Sequence, residues 1–598
     1  MNHQNNVAGK IQQVGTSQKE LVAVITASSV GTMIEWYDFY IFGSLATIIS
    51  TQFFPKENAS IAFLATLATF AAGLIVRPFG ALFFGRLGDL IGRKYTFMVT
   101  LLLMGGSTFL IGLIPKYETI GFWAPVIILI LRLLQGLAIG GEYGGAATFV
   151  AEYSPVRKRG FWTSWIQITA ITGFFISLAV ILITKSIMKT TAWEDWGWRI
   201  PFLISIFMVG VSVYIRKNMA ESPLFAKAKA EGKTAVNPLK ESFGNKENLK
   251  VVLLALFGVT IGIGATAWAS VFYVQHFLVK ISFLEYDQVN KILMCGLLPG
   301  SVFMIVFGWL SDYTGRKPLM MLSLLLSVLC FRPIFEKIYQ TTNLQHKTEN
   351  TSAVTISSKR ALLSVTGADS LLTTSTQRFF TDGTVYKEVR KNILHAGRMQ
   401  KPEIIKTIQI NNTDKWVLIA MIFLLEVICS MSYGPLAAYL VEMFPLKIRY
   451  SSLSVPYHIG YGIFGGMCPV IATYLVEKAR LAGSANYYLA GLNYPNVLMA
   501  LSFIVGVLYL KEKKGIQSFI SIRSKSWNNA KKWMGMVWIL LGITAVYLGL
   551  FQLGLPKLRS GNQDDIIFGS IVMFFITPVA SIGLLLFGKY ALQGAYDE

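Results

Sequence analysis

Five ionisable side chains sit inside apolar runs of this chain: Glu35 and Asp38 in one run, Arg77 in the next, Arg132 and Glu142 in a third. A charge in hydrocarbon is costly and normally faces a partner or an aqueous cavity. Glu35 and Asp38 are three residues apart and share nearly one helix face. Counted from the outer ends of their runs at about 1.5 Å per residue, Asp38 lies about 15 Å deep and Arg132 about 14 Å, with Arg77 about 24 Å and Glu142 about 30 Å deep. These depths suggest two charge levels: Asp38 and Glu35 with Arg132, and Arg77 with Glu142. A carboxylate holds its proton more tightly in a drying cavity and less tightly beside an arginine. Opening and closing a cavity around Glu35 or Asp38 with Arg132 would therefore load and release a proton. The competing reading is a set of permanent ion pairs that fix helix packing. For Glu142 that reading is preferred, because Gly140, Gly141, Gly144 and Gly145 around it signal close helix contact. Glu426 stands alone in a later run, as a second proton site or the partner of an unidentified group.

The elements that must hold these groups follow from two duplicated motifs. G-x-x-x-D-x-x-G-R-K spans Gly85–Lys94 and again Gly308–Lys317, an offset of 223 residues. E-x-x-P-x-x-x-R spans Glu152–Arg159 and again Glu442–Arg449, an offset of 290. The landmarks keep their order, as in two parallel repeats, and the difference between the offsets predicts an insert of 67 residues in the second half. Each motif is a short charged turn between apolar runs. Asp89 can accept bonds from Arg93, and Asp312 from Arg316, or either can face the positive N-terminus of a neighbouring helix.

The composition fits such an architecture. The chain has 598 residues, 53% hydrophobic and 14% charged, whereas a soluble globular protein carries about 25% charged residues. This implies a polytopic membrane protein. The net charge of +22 is accounted for by basic cytoplasmic loops; no basic stripe with interleaved aromatics points to nucleic acid. Spanning runs fall near 22–48, 61–85, 95–114, 122–150, 161–185, 198–215, 251–278, 290–310, 318–339, 416–440, 452–476, 493–510, 533–553 and 566–588. We divide the chain into a cytoplasmic tail (1–20), a six-helix bundle (21–215), a charged linker (216–250), a second six-helix bundle (251–510) interrupted at 340–415, a basic loop (511–532) and an added two-helix segment (533–598). The basic turns fall on one side if both termini are cytoplasmic. The tail has no secretory signal pattern. The 340–415 insert then lies outside. It is rich in Thr and Ser, and Phe379, Phe380, Val385 and Tyr386 either seed a small folded unit or belong to a linker.

At these motifs the chain resembles the major facilitator superfamily. Gly31–Phe39, Arg77–Gly80, Arg132–Gly136, Gly140–Gly145, Glu221–Pro223 and Gly460–Gly466 narrow the resemblance to the metabolite:proton symporter branch, which includes proline/betaine, dicarboxylate, citrate and shikimate carriers. It covers about residues 20–335 and 416–510, leaving aside the insert and the last two helices. The resemblance implies an all-α membrane protein of two six-helix bundles in parallel repeat, here with two extra C-terminal helices. It also implies a cytoplasmic latch formed by Asp89, Arg93, Asp312 and Arg316, and an arginine on the fourth helix (Arg132) linked to the proton. Glu152, Arg159, Glu442 and Arg449 either add to that latch or anchor their own loops. The function expected is proton-coupled symport of a small polar metabolite, an organic acid or a zwitterion, with binding near the midplane and no cofactor.

Glu35, Asp38 and Arg132 are the expected proton-coupling residues; Arg77, Gln135, Glu142 and Gln167 are candidates to meet the substrate. Weaker pore candidates are Trp165, Thr169 and Thr172, at i, i+4 and i+7, with Trp268, Tyr273, Tyr433, Tyr457 and His458. His276 is expected near the outer surface. No P-loop, nucleophile elbow or Cys/His metal spacing appears, which argues against ATP-driven transport, catalysis and a metal site. Cys295, Cys330, Cys429 and Cys468 lie in or beside apolar runs and form no disulfide framework. The partners expected are a small solute, a proton and the lipid bilayer, for a chain working as a monomer in a bacterial inner membrane or comparable plasma membrane. The alternative function is a membrane sensor on a transporter fold, signalling through the insert and the extra helices.

Overall fold

In hydrocarbon every backbone polar group must be bonded internally, so the apolar runs form helices. The first repeat comprises α1 (Gln18–Ser44), α2 (Ala59–Leu90), α3 (Arg93–Leu113), α4 (Trp123–Tyr153), α5 (Val156–Ile187) and α6 (Gly197–Lys217). The second comprises α7 (Lys246–Ile281), α8 (Tyr286–Thr314), α9 (Arg316–Thr342), α10 (Asn412–Met443), α11 (Leu446–Leu481) and α12 (Tyr487–Tyr509). The added pair is α13 (Lys531–Leu558) and α14 (Val572–Leu592). Among the described residues thirteen segments are long and apolar enough to cross a bilayer. To these α1 adds a helix of 27 residues, whose hydropathy is diluted by Glu35 and Asp38.

This computed structural model describes residues 18–596 apart from 56–58, 218–219, 363–369, 396–397, 400–402, 512–524, 561–565, 567–568 and 571. Most of the expected N-terminal tail and of the basic loop 511–532 therefore lies outside the described residues, and residues 18–20 of that tail already belong to α1.

The membrane part is all-α. In the first repeat α1 packs on α5, α2 on α4, and α3 on α4 and α6; in the second α8 and α9 pack on α10, and α7 on α11 and α12. The halves meet where α2 crosses α11 and α5 crosses α8. Backbones approach closely at α2/α4: a Cβ added to Gly136 would sit 2.1 Å from the Gly73 carbonyl, and one on Gly140 2.2 Å from that of Arg77. Only glycine fits there, as in small-residue helix contacts generally.

The insert is a folded unit. It forms an antiparallel sheet of β1 (Glu349–Leu362), β2 (Ser370–Phe380), β3 (Val385–His395), β4 (Arg398–Met399) and β5 (Glu403–Gln409), in which β1 pairs β2, β2 pairs β3, and β3 also pairs β4 and β5. Phe379 faces Val385 next to the Asp382–Gly383 turn, so the suspected aromatic seed is the base of the β2–β3 hairpin. That turn is clipped to the start of α10. Lys347 donates to Asp382 at 2.6 Å and also reaches Asp414, while the Asn411 amide donates to Asp382 at 2.8 Å. Burial alone would raise the Asp382 carboxyl, but bonds from Lys347 and Thr384 bring it down to about 2. On the other edge of β3, β5 is bonded to the α7–α8 turn: Ile408 N–H donates to Phe283 O at 2.7 Å, and Glu285 N–H to Ile408 O at 3.0 Å.

The added pair packs as a hairpin against the second repeat. Phe587 of α14 lies 6.0 Å from Phe257 of α7 and 5.2 Å from Tyr509 at the end of α12.

Candidate functional site

All five membrane charges are buried, but they do not form the expected pairs. Glu142 is bound to Arg216 at the end of α6, Nη2 to Oε1 at 3.1 Å, and its other oxygen accepts from Thr100 at 2.7 Å. The expected Arg77–Glu142 pair is therefore replaced by Arg216–Glu142. Arg216 also lies over the Phe97 ring at 3.5 Å and donates to the Phe97 carbonyl. Arg132 makes no ion pair with Asp38 or Glu35. Its Nη1 donates to Gln135 at 2.7 Å, and its guanidinium lies 4.3 Å from the Phe42 ring. Depth along a helix is legible from sequence; the direction a side chain takes around the axis is set by tertiary packing.

Asp38 faces α3, beside Gly105 and Thr108, and neither of its oxygens makes a hydrogen bond. Thr108 in turn accepts from Gln135 at 2.7 Å. A hydrogen-bonded path thus runs from Arg132 through Gln135 to Thr108, next to the Asp38 carboxylate. Glu35 points toward Arg77 and the Arg216–Glu142 pair instead.

Arg77 lies among packed aromatic rings. Its guanidinium lies 4.5 Å from Phe39 and 5.7 Å from Trp36, and its Nε and Nη2 have no hydrogen-bond partner. Rings from both halves close over it: Trp36 against Tyr461 at 6.4 Å, Tyr40 stacked on Phe272 at 5.7 Å, and Tyr143 stacked on Tyr457 at 3.6 Å. Glu426 of α10 is buried with both oxygens unbonded. Tyr40 and Tyr461 lie within electrostatic reach of both Arg77 and Glu426. His458 and the Trp268 indole N–H are also buried without partners. Buried polar groups are nearly always bonded, so these unbonded ones are candidates to meet something polar. Gln167 is already engaged, donating to Tyr143 Oη at 2.9 Å, and Tyr433 meets Tyr457 at 3.0 Å. The hydroxyls of Thr169 and Thr172 bond their own helix, and Trp165 is 40% exposed. Tyr273 is buried with its hydroxyl unbonded, and His276 meets Thr473 at 2.8 Å.

On the basic side the duplicated motifs seal the halves reciprocally. Asp89 accepts from the Tyr450 and Ser451 amides at 3.3 and 2.9 Å, at the start of α11. Asp312 accepts from the Gly160 and Phe161 amides at 2.8 and 2.9 Å, in the first turns of α5. Each aspartate is held by its own arginine, Arg93 at 3.2 Å and Arg316 at 3.1 Å. Gly92 (φ 133°) and Gly315 (φ 92°) precede those arginines in a backbone region that other residues rarely adopt. The second motif pairs across the halves, not within itself. Arg449 meets Glu152 at 3.0 Å; Arg159 meets Glu442 at 3.3 Å, and Arg316 holds Glu442 with two bonds of 2.9 and 3.0 Å. Glu221 of the Glu221–Pro223 motif accepts the Arg93 and Lys94 amides, each at 3.2 Å.

Charge-assisted bonds to helix N-termini contribute roughly 1–2 kcal/mol each. Asp89→Ala is therefore expected to loosen the seal. A cysteine placed at Ser164, buried against Gly308 in the α5–α8 contact, should react with a water-soluble maleimide about tenfold faster, the equivalent of about 1.4 kcal/mol. Unchanged reactivity would make the aspartate a local turn residue.

Known proteins similar to this chain fit the geometry. The sugar (and other) transporter family matches residues 23–252, and a family of unknown function, DUF6814, matches residues 527–598. The proline/betaine transporter of Escherichia coli (strain K12) is 31% identical over 504 residues, covering 82% of this chain and 83% of that protein. The glycine betaine/proline/ectoine/pipecolic acid transporter OusA of Dickeya dadantii is 29% identical over 509 residues, with the same coverage. The inner membrane metabolite transport protein YhjE of Escherichia coli is 29% identical over 481 residues, 78% of this chain and 91% of that one. Among solved structures, the proton:xylose symporter XylE superposes with a TM-score of 0.57 at 14% identity, over 84% of this chain and 98% of its own, which establishes the shared fold.

Proposed function

This chain belongs to the major facilitator superfamily, in the metabolite transporter branch of the proline/betaine carriers, and from that premise we propose that it imports a small zwitterion with a proton by alternating access. The observation that carries the reading is that Arg77, with Nε and Nη2 unbonded, and Glu426, with both oxygens unbonded, each lie within electrostatic reach of Tyr40 and Tyr461. Arg77 would take the solute carboxylate through its free donors. The faces of Trp36, Tyr40 and Tyr461 suit a cationic end, and Glu426 balances its charge from the other half. A solute bridging Arg77 and Glu426 would draw the halves together, the step that alternating access needs.

Asp38 is the proton carrier we favour. Its carboxylate has no bonded partner, and Arg132 reaches its neighbourhood through Gln135 and Thr108. Gln135 then serves the proton path rather than the solute, Gln167 orients Tyr143, and Glu142 fixes helix packing through Arg216. The reciprocal seal is the latch of an outward-facing or occluded state, with the basic turns and both termini in the cytoplasm, and the chain works as a monomer.

Uptake into proteoliposomes under an imposed pH gradient tests this, with labelled proline, glycine betaine, 2-oxoglutarate, citrate and shikimate. Gradient-driven accumulation of a zwitterion is expected, and Asp38→Asn should abolish accumulation while solute exchange continues. Accumulation that survives Asp38→Asn would shift the proton to Glu35 or Glu426; accumulation of citrate alone would sink the zwitterion. The sensor reading draws on the folded sheet at the α7–α8 turn, and solute that binds without crossing would favour it.

A further inference from the structure

Two parts of the chain fall outside the repeat pattern, the sheet and the added helix pair, and they hold opposite ends of the same helix. At its basic end α7 meets α14. A Cβ on Gly583 would sit 2.6 Å from the Phe257 ring, so that ring fills a notch which only glycine leaves open. Nearer the start of α7 the Lys250 ammonium lies 5.5 Å over the Tyr590 ring. At its other end α7 runs into the turn held by β5. Phe283 in that turn has φ 57°, the only positive φ among the described residues other than glycine, and its carbonyl accepts the Ile408 N–H. Such a conformation is costly for a residue with a Cβ and persists where its surroundings impose it. Gln288 adds two bonds of 3.0 Å to Ile410, one through its amide nitrogen and one through its oxygen, and Ser282 meets Thr342 of α9 at 3.0 Å.

Between these fastenings α7 is neither free nor regular. Of its most apolar stretch 89% is buried, against at most 67% in the other twelve apolar spans, so it has almost no lipid face along which to swing. It carries three π turns, Leu256–Thr260, Ala269–Tyr273 and Phe277–Ile281, where no other described span carries more than one. A π turn holds one residue more than an α turn. The first of the three is wedged open from α12. The Ser502 hydroxyl accepts from the Gly262 N–H at 2.8 Å and donates to the Phe257 carbonyl at 2.7 Å, the two groups that an i→i+5 bond would join. Gly262 admits it, since a Cβ there would sit 2.4 Å from that of Ser502. The stretch between the first and last π turns carries Trp268, 5.9 Å from Tyr461, and Phe272, 5.7 Å from Tyr40 of the first repeat.

We propose that the sheet and the added helix pair clamp α7 at both ends, so that its part in alternating access is a rearrangement of its own π turns between them and not a swing of the whole helix. Passing the extra residue from one π turn to the next advances the stretch between by one position, a rotation of about 100° with a rise of about 1.5 Å. Trp268 and Phe272 then turn away from Tyr461 and Tyr40 while both ends stay seated, which parts a ring contact between the halves. The inference rests on the transport reading, but not on which solute is carried or where the proton sits.

Cross-linking of the full-length protein in proteoliposomes provides the test, read by uptake of whichever of the five labelled solutes above is carried. Ser282→Cys with Thr342→Cys places a disulfide at the sheet end, and Lys250→Cys with Tyr590→Cys, bridged by dibromobimane, ties the basic end. Ser270, in the middle π turn, lies within hydrogen-bond reach of the native Cys429 of α10, so Ser270→Cys supplies a lock between the two. Mass spectrometry verifies each bond. Uptake is expected to persist with either end locked, to be lost with the middle locked, and to return there on reduction with dithiothreitol. Uptake lost on locking either end, and present before the bond forms, would mean that α7 swings as a whole and overturns the proposal. Uptake that survives the middle lock overturns it too. Failure of every solute to cross in the unmodified protein would instead defeat the transport reading, and this inference with it.

Discussion

Arg216→Ala is expected to lower stability by roughly 3–5 kcal/mol, the range for removing one partner of a buried ion pair. Glu142 would be left as an uncompensated carboxylate, 2% exposed, with only Thr100 to bond it. The stacking of the guanidinium on Phe97 is lost as well. Thermal unfolding in detergent would measure the effect, together with the yield of monodisperse protein. The double variant Arg216→Met with Glu142→Leu supplies the decisive comparison. Replacing both charges by apolar groups of similar size is often neutral, so the double variant should recover most of the loss. A double variant as unstable as Arg216→Ala would mean that the arginine acts through its shape, wedged against Gly31, more than through its charge.

Arg77→Ala should instead leave folding close to wild type and reduce solute uptake about tenfold to hundredfold, since a bond to a charged group contributes about 1.5–3 kcal/mol. Two of its guanidinium nitrogens, Nε and Nη2, make no bond inside the protein, so truncation breaks little that the fold needs. Arg77→Lys keeps the charge but loses the planar fork, and an intermediate loss is expected. The measurement is initial uptake rate against solute concentration. If Arg77 holds the solute carboxylate equally in ground and transition states, the loss falls on KM. Uptake unchanged in Arg77→Ala would remove this residue from the substrate path and leave the aromatic cluster without its anchor.

Much of the architecture was legible in the sequence because the repeat signals there are strong. The two G-x-x-x-D-x-x-G-R-K turns and the two E-x-x-P-x-x-x-R turns set the order of helices and the presence of an insert. The same offsets contain the cross-half pairing: Tyr450 and Ser451 lie 290 residues beyond Gly160 and Phe161, so the cap on one pair implies a cap on the other. The partners of the buried charges were not legible. Arg216 stands beside Lys217 at a helix end and reads as the first charge of a basic linker, yet α6 carries it to 1% exposure. The sheet was half-hidden for a different reason. Its strands are exposed or half-exposed along most of their described length, as in Thr373–Thr376, so the apolar/polar alternation that marks a strand packed on a core is weak there.

The sheet has a practical consequence. Its fastenings, α9, α10 and the α7–α8 turn, all belong to the second repeat. A 66.4 kDa chain mostly enclosed in detergent offers image alignment little to grip. An antibody fragment raised against β1–β5 would stand clear of the micelle as a fiducial rigidly tied to one half. Its tilt relative to the helices of the other half would then read out, particle by particle, how far the halves have turned.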